Sequence, residues 1–153
     1  MAGMRLFTGI ALDDAVRRNV LREMKPFQKI GTPIRWTAAG NVHLTLKFIG
    51  EADDALAAQI GAALGKTSPA AAPFRLRLAG FGKFPAGDEL HVLWAGIGES
   101  PPLRALFAAI EDALAPLGIA RDNRPFQPHV TLGRNKVRYN FKSLFSLLEQ
   151  KSR

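Results

Sequence analysis

Short apolar runs alternate along the chain with longer stretches in which apolar residues return every three or four positions. Leu6–Ala11 is the first such run and predicts a buried strand. Asp13 then offers an N-cap, and Val16, Val20, Leu21 and Met24 recur at helical spacing. Pro26 is expected to end or kink that helix. Ile34–Trp36 and Val42–Ile49 read as strands, with Ala39-Gly40-Asn41 as a turn between them and Gly50 closing the second. A helix is predicted over Asp53–Leu64, and Ser68-Pro69-Ala70-Ala71-Ala72-Pro73 is the clearest linker. Phe74–Leu78 alternates apolar and basic residues as a half-exposed strand does. Leu90–Ile97 reads as the next strand, joined to it through Gly82, Pro85 and Gly87. Ser100 caps a helix that carries Pro101 and Pro102 in its first turn and Leu103, Phe107, Ile110 and Leu114 as its apolar stripe. Pro116 and Gly118 end that helix. Pro128–Leu132 is a further strand, and Asn140 caps a last helix through Leu148.

This order of short strands and helices predicts an α+β fold with antiparallel sheets. The two halves look loosely alike, each ending in a strand that carries His-x-Thr. A length of 153 residues suits one domain or two small lobes sharing a core. The tail stands apart: residues 135–153 lack Ala, Gly and Pro, which abound before them.

Charge narrows the picture. Lys and Arg total 21 against 13 acids, a net charge of +8, which favours an anionic partner without choosing among phosphate, nucleic acid and membrane headgroups. The basic residues Arg17, Arg18, Arg22, Lys25 and Lys29 of the first helix read as a solvated face. The absence of cysteine rules out disulfides, thiolate nucleophiles and Cys-ligated metals. No apolar run approaches the roughly 18 residues needed to span a bilayer. Asp13 and Asp14 follow the first apolar run and no small-residue cleavage site is evident, so a cytoplasmic protein without a signal peptide is expected. Gly61–Thr67 is one residue short of P-loop spacing and follows a helix instead of opening one; it is read as that helix's C-terminal stop.

The candidate chemistry lies in two tetrads. Of the three histidines, two begin them: His43-Leu44-Thr45-Leu46 and His129-Val130-Thr131-Leu132. With six threonines in the chain, chance would produce this in roughly 0.5% of such sequences. Residues i and i+2 of a strand share a face, about 7 Å apart. His43 with Thr45, and His129 with Thr131, are therefore expected on one surface, with Leu44, Leu46, Phe48, Val130 and Leu132 facing the core. Two imidazoles with ordinary values near pH 7 can divide the roles of general acid and general base. Thr hydroxyls can donate to phosphoryl oxygens where charge develops. Such a set suits phosphoryl chemistry without metal, since two His supply too few ligands and no Asp or Glu lies on the two expected strands, Val42–Ile49 and Pro128–Leu132.

The sequence resembles the two-histidine (2H) phosphoesterases and is most similar to the bacterial RNA 2′,3′-cyclic phosphodiesterases, or 2′-5′ RNA ligases. The resemblance covers roughly residues 4–134. It is carried by Arg5-Leu6-Phe7, Ile34-Arg35-Trp36, the stretch from Asn41 to Gly50, Val92-Leu93-Trp94-Ala95-Gly96, and the stretch from Phe126 to Arg134. It implies a single bilobed, pseudo-twofold domain over residues 1–153, with two antiparallel sheets around a central cleft and helices outside. It also implies hydrolysis of RNA 2′,3′-cyclic phosphate ends to 2′-phosphates, with ATP-independent 2′-5′ ligation as the reverse, and no cofactor. Carried over, His43 is the general acid and His129 the general base. Thr45, Thr131 and Arg134 bind substrate. The implied partners are RNAs with cyclic phosphate ends, tRNA fragments among them, or cyclic nucleotides.

Several residues need separate weighing. In a regular strand Arg134 would face away from His129 and Thr131, unless a bulge at Gly133 turned it round. Lys47 either adds charge on the His43 face or sits exposed at a cleft rim. Phe7 and Trp36 read as core packing before a base-stacking wall, and His91 as an ordinary strand residue. Family members usually continue further past the second tetrad, so the 19 residues after Arg134 read as a shortened C-terminus. A monomer is expected, or a dimer if a partner completes that edge. Two rivals stand beside the enzyme: a non-catalytic protein that holds RNA ends, and a cyclic phosphodiesterase acting on a small nucleotide metabolite.

Overall fold

Local capping signals set the helix starts. In the computed structural model, which describes residues 3–67 and 72–152, strand β1 (Met4–Ala11) leads into helix α1 (Asp14–Gln28). The Asp13 carboxylate accepts the Val16 amide at 2.9 Å and so caps α1. Asp53 accepts the Leu56 amide ahead of α2 (Asp54–Thr67), and Ser100 accepts the Leu103 amide ahead of α3 (Pro101–Leu114). Asn140 accepts the Lys142 amide at the start of α4 (Lys142–Lys151), although Phe141 occupies the cap position itself. The remaining strands are β2 (Arg35–Trp36), β3 (His43–Ala52), β4 (Leu78–Phe84), β5 (Val92–Ile97) and β6 (His129–Arg134).

Several boundaries differ from expectation. Pro26 lies inside α1, which continues to Gln28 because Phe27 is fully buried and anchors the last turn. Gly50 adopts φ +94 within β3, which runs on to Ala52. The segment Gly61–Thr67 is helical throughout, so Gly61 and Gly65 do not stop α2. The strand expected at Phe74–Leu78 begins only at Leu78 and takes in Gly82. His91 precedes β5 instead of lying in it, and its side chain meets Glu89 in an exposed pair. Ser68-Pro69-Ala70-Ala71 of the expected linker lies outside the described residues.

The α+β class with antiparallel pairing is as expected. Strand neighbours run β1-β3-β6-β5-β4, with β2 on β6, so hydrogen bonding links in one series the strands expected as two sheets. The chain divides into two compact units. The first contains Met1–Gly9, Thr45–Leu76 and Glu99–Gln127. In it β1 neighbours β3, α2 packs on α3, and Leu46, Ile60, Leu103, Ile110 and Leu114 are buried. Phe107 stacks on Phe126 with centroids 4.2 Å apart.

Lys47 also belongs to this first unit, and neither expectation for it holds. It is only 3% exposed, and its ammonium pairs with Glu111 of α3 at 2.5 Å while donating to the Ala120 carbonyl at 2.9 Å. The other Glu111 oxygen accepts the Asp122 amide. A buried cation persists only when paired and hydrogen-bonded, as this one is. Phe48, expected in the core, is 65% exposed and lies 6.1 Å from the ring of Phe7. Phe7 is itself 49% exposed and so does not pack in the core either.

The second unit contains Ile10–Leu44, Arg77–Gly98 and Pro128–Arg153. Its core joins Val20, Met24 and Phe27 of α1 to Leu93, Ala95, Val130 and Leu132 of the strands and to Leu144 and Leu148 of α4. Burying each of these larger side chains contributes about 1.5–3 kcal/mol. Phe27 lies 5.5 Å from Phe81 of β4, and Ser152 donates to the Phe81 carbonyl. The residues after Arg134 are thus built into this unit. Asn135 is buried and donates to the carbonyls of Leu90 and Val137.

Candidate active site

The second unit brings both histidines to one surface through strand register. Leu44 of β3 pairs with Val130 of β6, and both side chains are fully buried. Their neighbours therefore point to the opposite face. In an antiparallel pair the residue before Leu44 stands across from the residue after Val130, so His43 lies opposite Thr131, at the usual separation of about 5 Å between Cβ atoms. His129 lies two residues from Thr131 on the same face of β6. All three are half-buried. Thr45 follows His43 at i+2 on β3, on the same face of that strand, and belongs to the first unit.

A backbone contact orients the His43 ring. Its Nδ1 lies 2.6 Å from the Asn41 carbonyl oxygen. A carbonyl only accepts, so Nδ1 carries the proton and donates it. This fixes the tautomer: in the neutral ring Nε2 is the acceptor nitrogen.

Aromatic rings wall in His129. Phe84 meets it edge-on at 5.2 Å, and Trp94 lies 6.1 Å away. The two rings are 5.3 Å from each other. Register explains the cluster: Trp94 stands opposite Thr131, Gly96 opposite His129, Gly82 opposite Trp94 and Phe84 opposite Val92. A Cβ at Gly82 would come within 2.2 Å of the Trp94 indole, so glycine there leaves the slot the ring fills. A Cβ at Gly96 would come within 2.5 Å of the Ala79 carbonyl. Lys83 braces the turn that follows Phe84 by donating to the carbonyls of Pro85, Gly87 and Glu89, with its ammonium over the Phe145 ring. Burial holds that ammonium below the ordinary Lys range, while Asp88 and Glu89 pull the other way.

Arg134 reaches the histidine face by means of a bulge. Along β5, Gly96, Trp94 and Val92 alternate on one face, and their partners are His129, Thr131 and Arg134. Leu93, between Trp94 and Val92, pairs with Gly133, and the register shifts so that Leu132 is the extra residue of β6. Leu132 and Gly133 are both buried, which turns Arg134 back to the side of His129 and Thr131. A Cβ on Gly133 would lie 2.4 Å from Ile34 Cγ2, so glycine makes the inward turn sterically possible. Thr37 secures the same stretch: its amide donates to the Leu132 carbonyl and its hydroxyl to the Thr131 carbonyl. β2 completes the edge, with Trp36 opposite Gly133 and Arg35 opposite Arg134.

The second unit thus gathers His43, His129, Thr131 and Arg134. Sequence reasoning missed Phe84 and gave Trp94 no role. The usable signal was Gly82, at the register position where only a glycine admits an indole. Among the described residues no three His, Asp or Glu side chains gather as a metal site would require.

Comparison with known proteins agrees with this geometry. The family model described as the 2′-5′ RNA ligase superfamily matches residues 14–153. An RNA 2′,3′-cyclic phosphodiesterase of Aeropyrum pernix is 37% identical over 121 residues, covering 78% of this chain and 68% of the relative. One of Aquifex aeolicus is 31% identical over 152 residues, covering 98% and 80%. These relatives span archaea and bacteria, so the similarity is not confined to bacterial enzymes. A Thermus thermophilus crystal structure superposes with a TM-score of 0.78 at 28% identity, covering 89% of this chain and 76% of that one. Escherichia coli LigT complexed with 3′-AMP superposes at 0.68 and 27% identity, covering 90% and 78%. With paired His-x-Thr strands in register and a family match over nearly its whole length, this chain belongs to the 2′-5′ RNA ligase superfamily.

Proposed function

We infer that the protein hydrolyses the 2′,3′-cyclic phosphate ends of RNA to 2′-phosphates, with its two histidines as acid and base. The observation that carries this reading is the register that sets His43 across from Thr131 with His129 on the same face. His129 takes a proton from a water whose oxygen attacks phosphorus. The bond from phosphorus to the 3′ oxygen breaks, and His43 delivers the proton of its Nε2 to that leaving oxygen. The bond from Nδ1 to the Asn41 carbonyl holds the imidazole in position for this transfer. Hydroxyls of Thr45 and Thr131 donate to the phosphoryl oxygens as charge builds there. The Arg134 guanidinium, brought round by the β6 bulge, contributes positive charge on the histidine face. The steps need no metal, and reversal of the same proton transfers gives 2′-5′ ligation. The names of the relatives and the 3′-AMP complex of LigT support a nucleotide phosphate in this site.

The test is turnover of uridine 2′,3′-cyclic phosphate in EDTA, with the product read by phosphorus NMR. A 2′-phosphate is expected. His43→Ala and His129→Ala should each lower the rate by about 10² to 10⁴ while staying folded. A 3′-phosphate product would reverse the choice of leaving oxygen. Loss of turnover in EDTA would overturn the metal-free route. Binding without turnover would make the protein a holder of RNA ends.

A further inference from the structure

Arg35 and Arg134 are direct cross-strand partners, and no part of the chemistry above uses Arg35. Opposed residues of an antiparallel pair point to the same face, so Arg35 shares the face of Arg134, Thr131 and His129. Both arginines are exposed. Like charges directly opposite one another destabilise a strand pair. Among the described residues no carboxylate forms an ion pair with either, whereas Arg17, Arg104 and Arg121 each have an acidic partner. Two forked guanidiniums carried on paired strand positions, neither in an ion pair among the described residues, suit the oxygens of a phosphate diester.

Position says which phosphate. Val92, the β5 partner of Arg134, lies two residues from Trp94, the partner of Thr131, so the arginine pair stands about 7 Å along the face from Thr131. A cyclic phosphate carries one negative charge, which His43 in its acid form already offsets. The further charges of Arg35 and Arg134 suit a second phosphate.

We propose that Arg35 and Arg134 together form a subsite for the phosphodiester that precedes the cyclic end, so that the site favours RNA chains over mononucleotides. The proposal rests on the phosphodiesterase reading. Its test compares uridine 2′,3′-cyclic phosphate with the dinucleotide UpU bearing the same cyclic end, for the wild type, Arg35→Ala and Arg35→Lys, with folding checked by circular dichroism. The wild type should prefer the dinucleotide by about tenfold in kcat/KM, as expected for a charged hydrogen bond to phosphate. Arg35→Ala should remove most of that preference through a raised KM, and Arg35→Lys should restore part of it. The salt dependence on the dinucleotide should also become shallower by about 0.7 in log–log slope. Equal losses on both substrates, or no change on either, would overturn the subsite. Turnover of neither substrate by the wild type would instead overturn the phosphodiesterase reading, and the subsite with it.

Discussion

Strands β3 and β6 carry the same tetrad pattern and part company just beyond it. In β3 the next residue is Lys47, which is buried directly after the buried Leu46 and pairs with Glu111. In β6 a glycine follows, the register slips, and Arg134 emerges on the histidine face as an exposed guanidinium. One cation holds its unit together from inside and the other is presented outward. The tetrad therefore does not decide the use of the charge that follows it. The neighbouring element does: an acid on α3 in the first case, a bulge pressed against Ile34 in the second.

The strongest way to break this contrast is Lys47→Met. Removing the ammonium leaves the Glu111 carboxylate buried without its counter-charge, and a loss of about 3–5 kcal/mol in urea unfolding is expected. Adding Glu111→Leu to the same variant should recover most of it. A loss under about 1 kcal/mol for the single change would show that the pair contributes little. A smaller effect is expected from Gly133→Ala, whose methyl would collide with Ile34. About 1–3 kcal/mol of stability should be lost as the bulge adjusts, together with a drop in turnover as Arg134 shifts. If stability and rate both held, the close approach at Gly133 would not be what turns the strand. The smallest is Phe48→Ser, which sharpens the contrast by touching the outward face of β3. At 65% exposure it should change stability by no more than about 0.5 kcal/mol. A larger loss would mean that the Phe7–Phe48 contact contributes to the first unit.

Much of this was legible because the signals are local. Asp13, Asp53 and Ser100 stand three residues before the amides they accept, and the chain states that spacing directly. The two His-x-Thr strands were readable from period two alone, because Leu44 and Val130 mark the inward face. What the sequence hid depends on contacts between distant segments. Lys47 looks like a surface residue until Glu111 is placed beside it. Phe48 looks like core until Leu46 and Lys47 are seen to be buried in succession, which leaves Phe48 exposed. Pro26 looks like a stop, but burial of Phe27 outweighs one missing amide. Phe74–Leu78 keeps the alternating burial of a strand, but the Arg77 carbonyl is its first to accept a cross-strand amide, that of Gly98, and β4 starts only at Leu78. The walls of His129 depend on Gly82 lying across from Trp94, a register that no local rule supplies.

The extra residue in β6 also changes how spacing should be counted. From Thr131 to Arg134 the chain takes three steps, an odd number, and an uninterrupted pleat would leave the two on opposite sides. Leu132 absorbs one step, so the interval becomes even in space. A relative with a single residue between its second threonine and its basic residue would reach the same place without a bulge. A relative with two residues there must keep the bulge or lose the cation from the site. Parity, more than the identity of the basic residue, then decides which chains of this superfamily can place a guanidinium beside the phosphate.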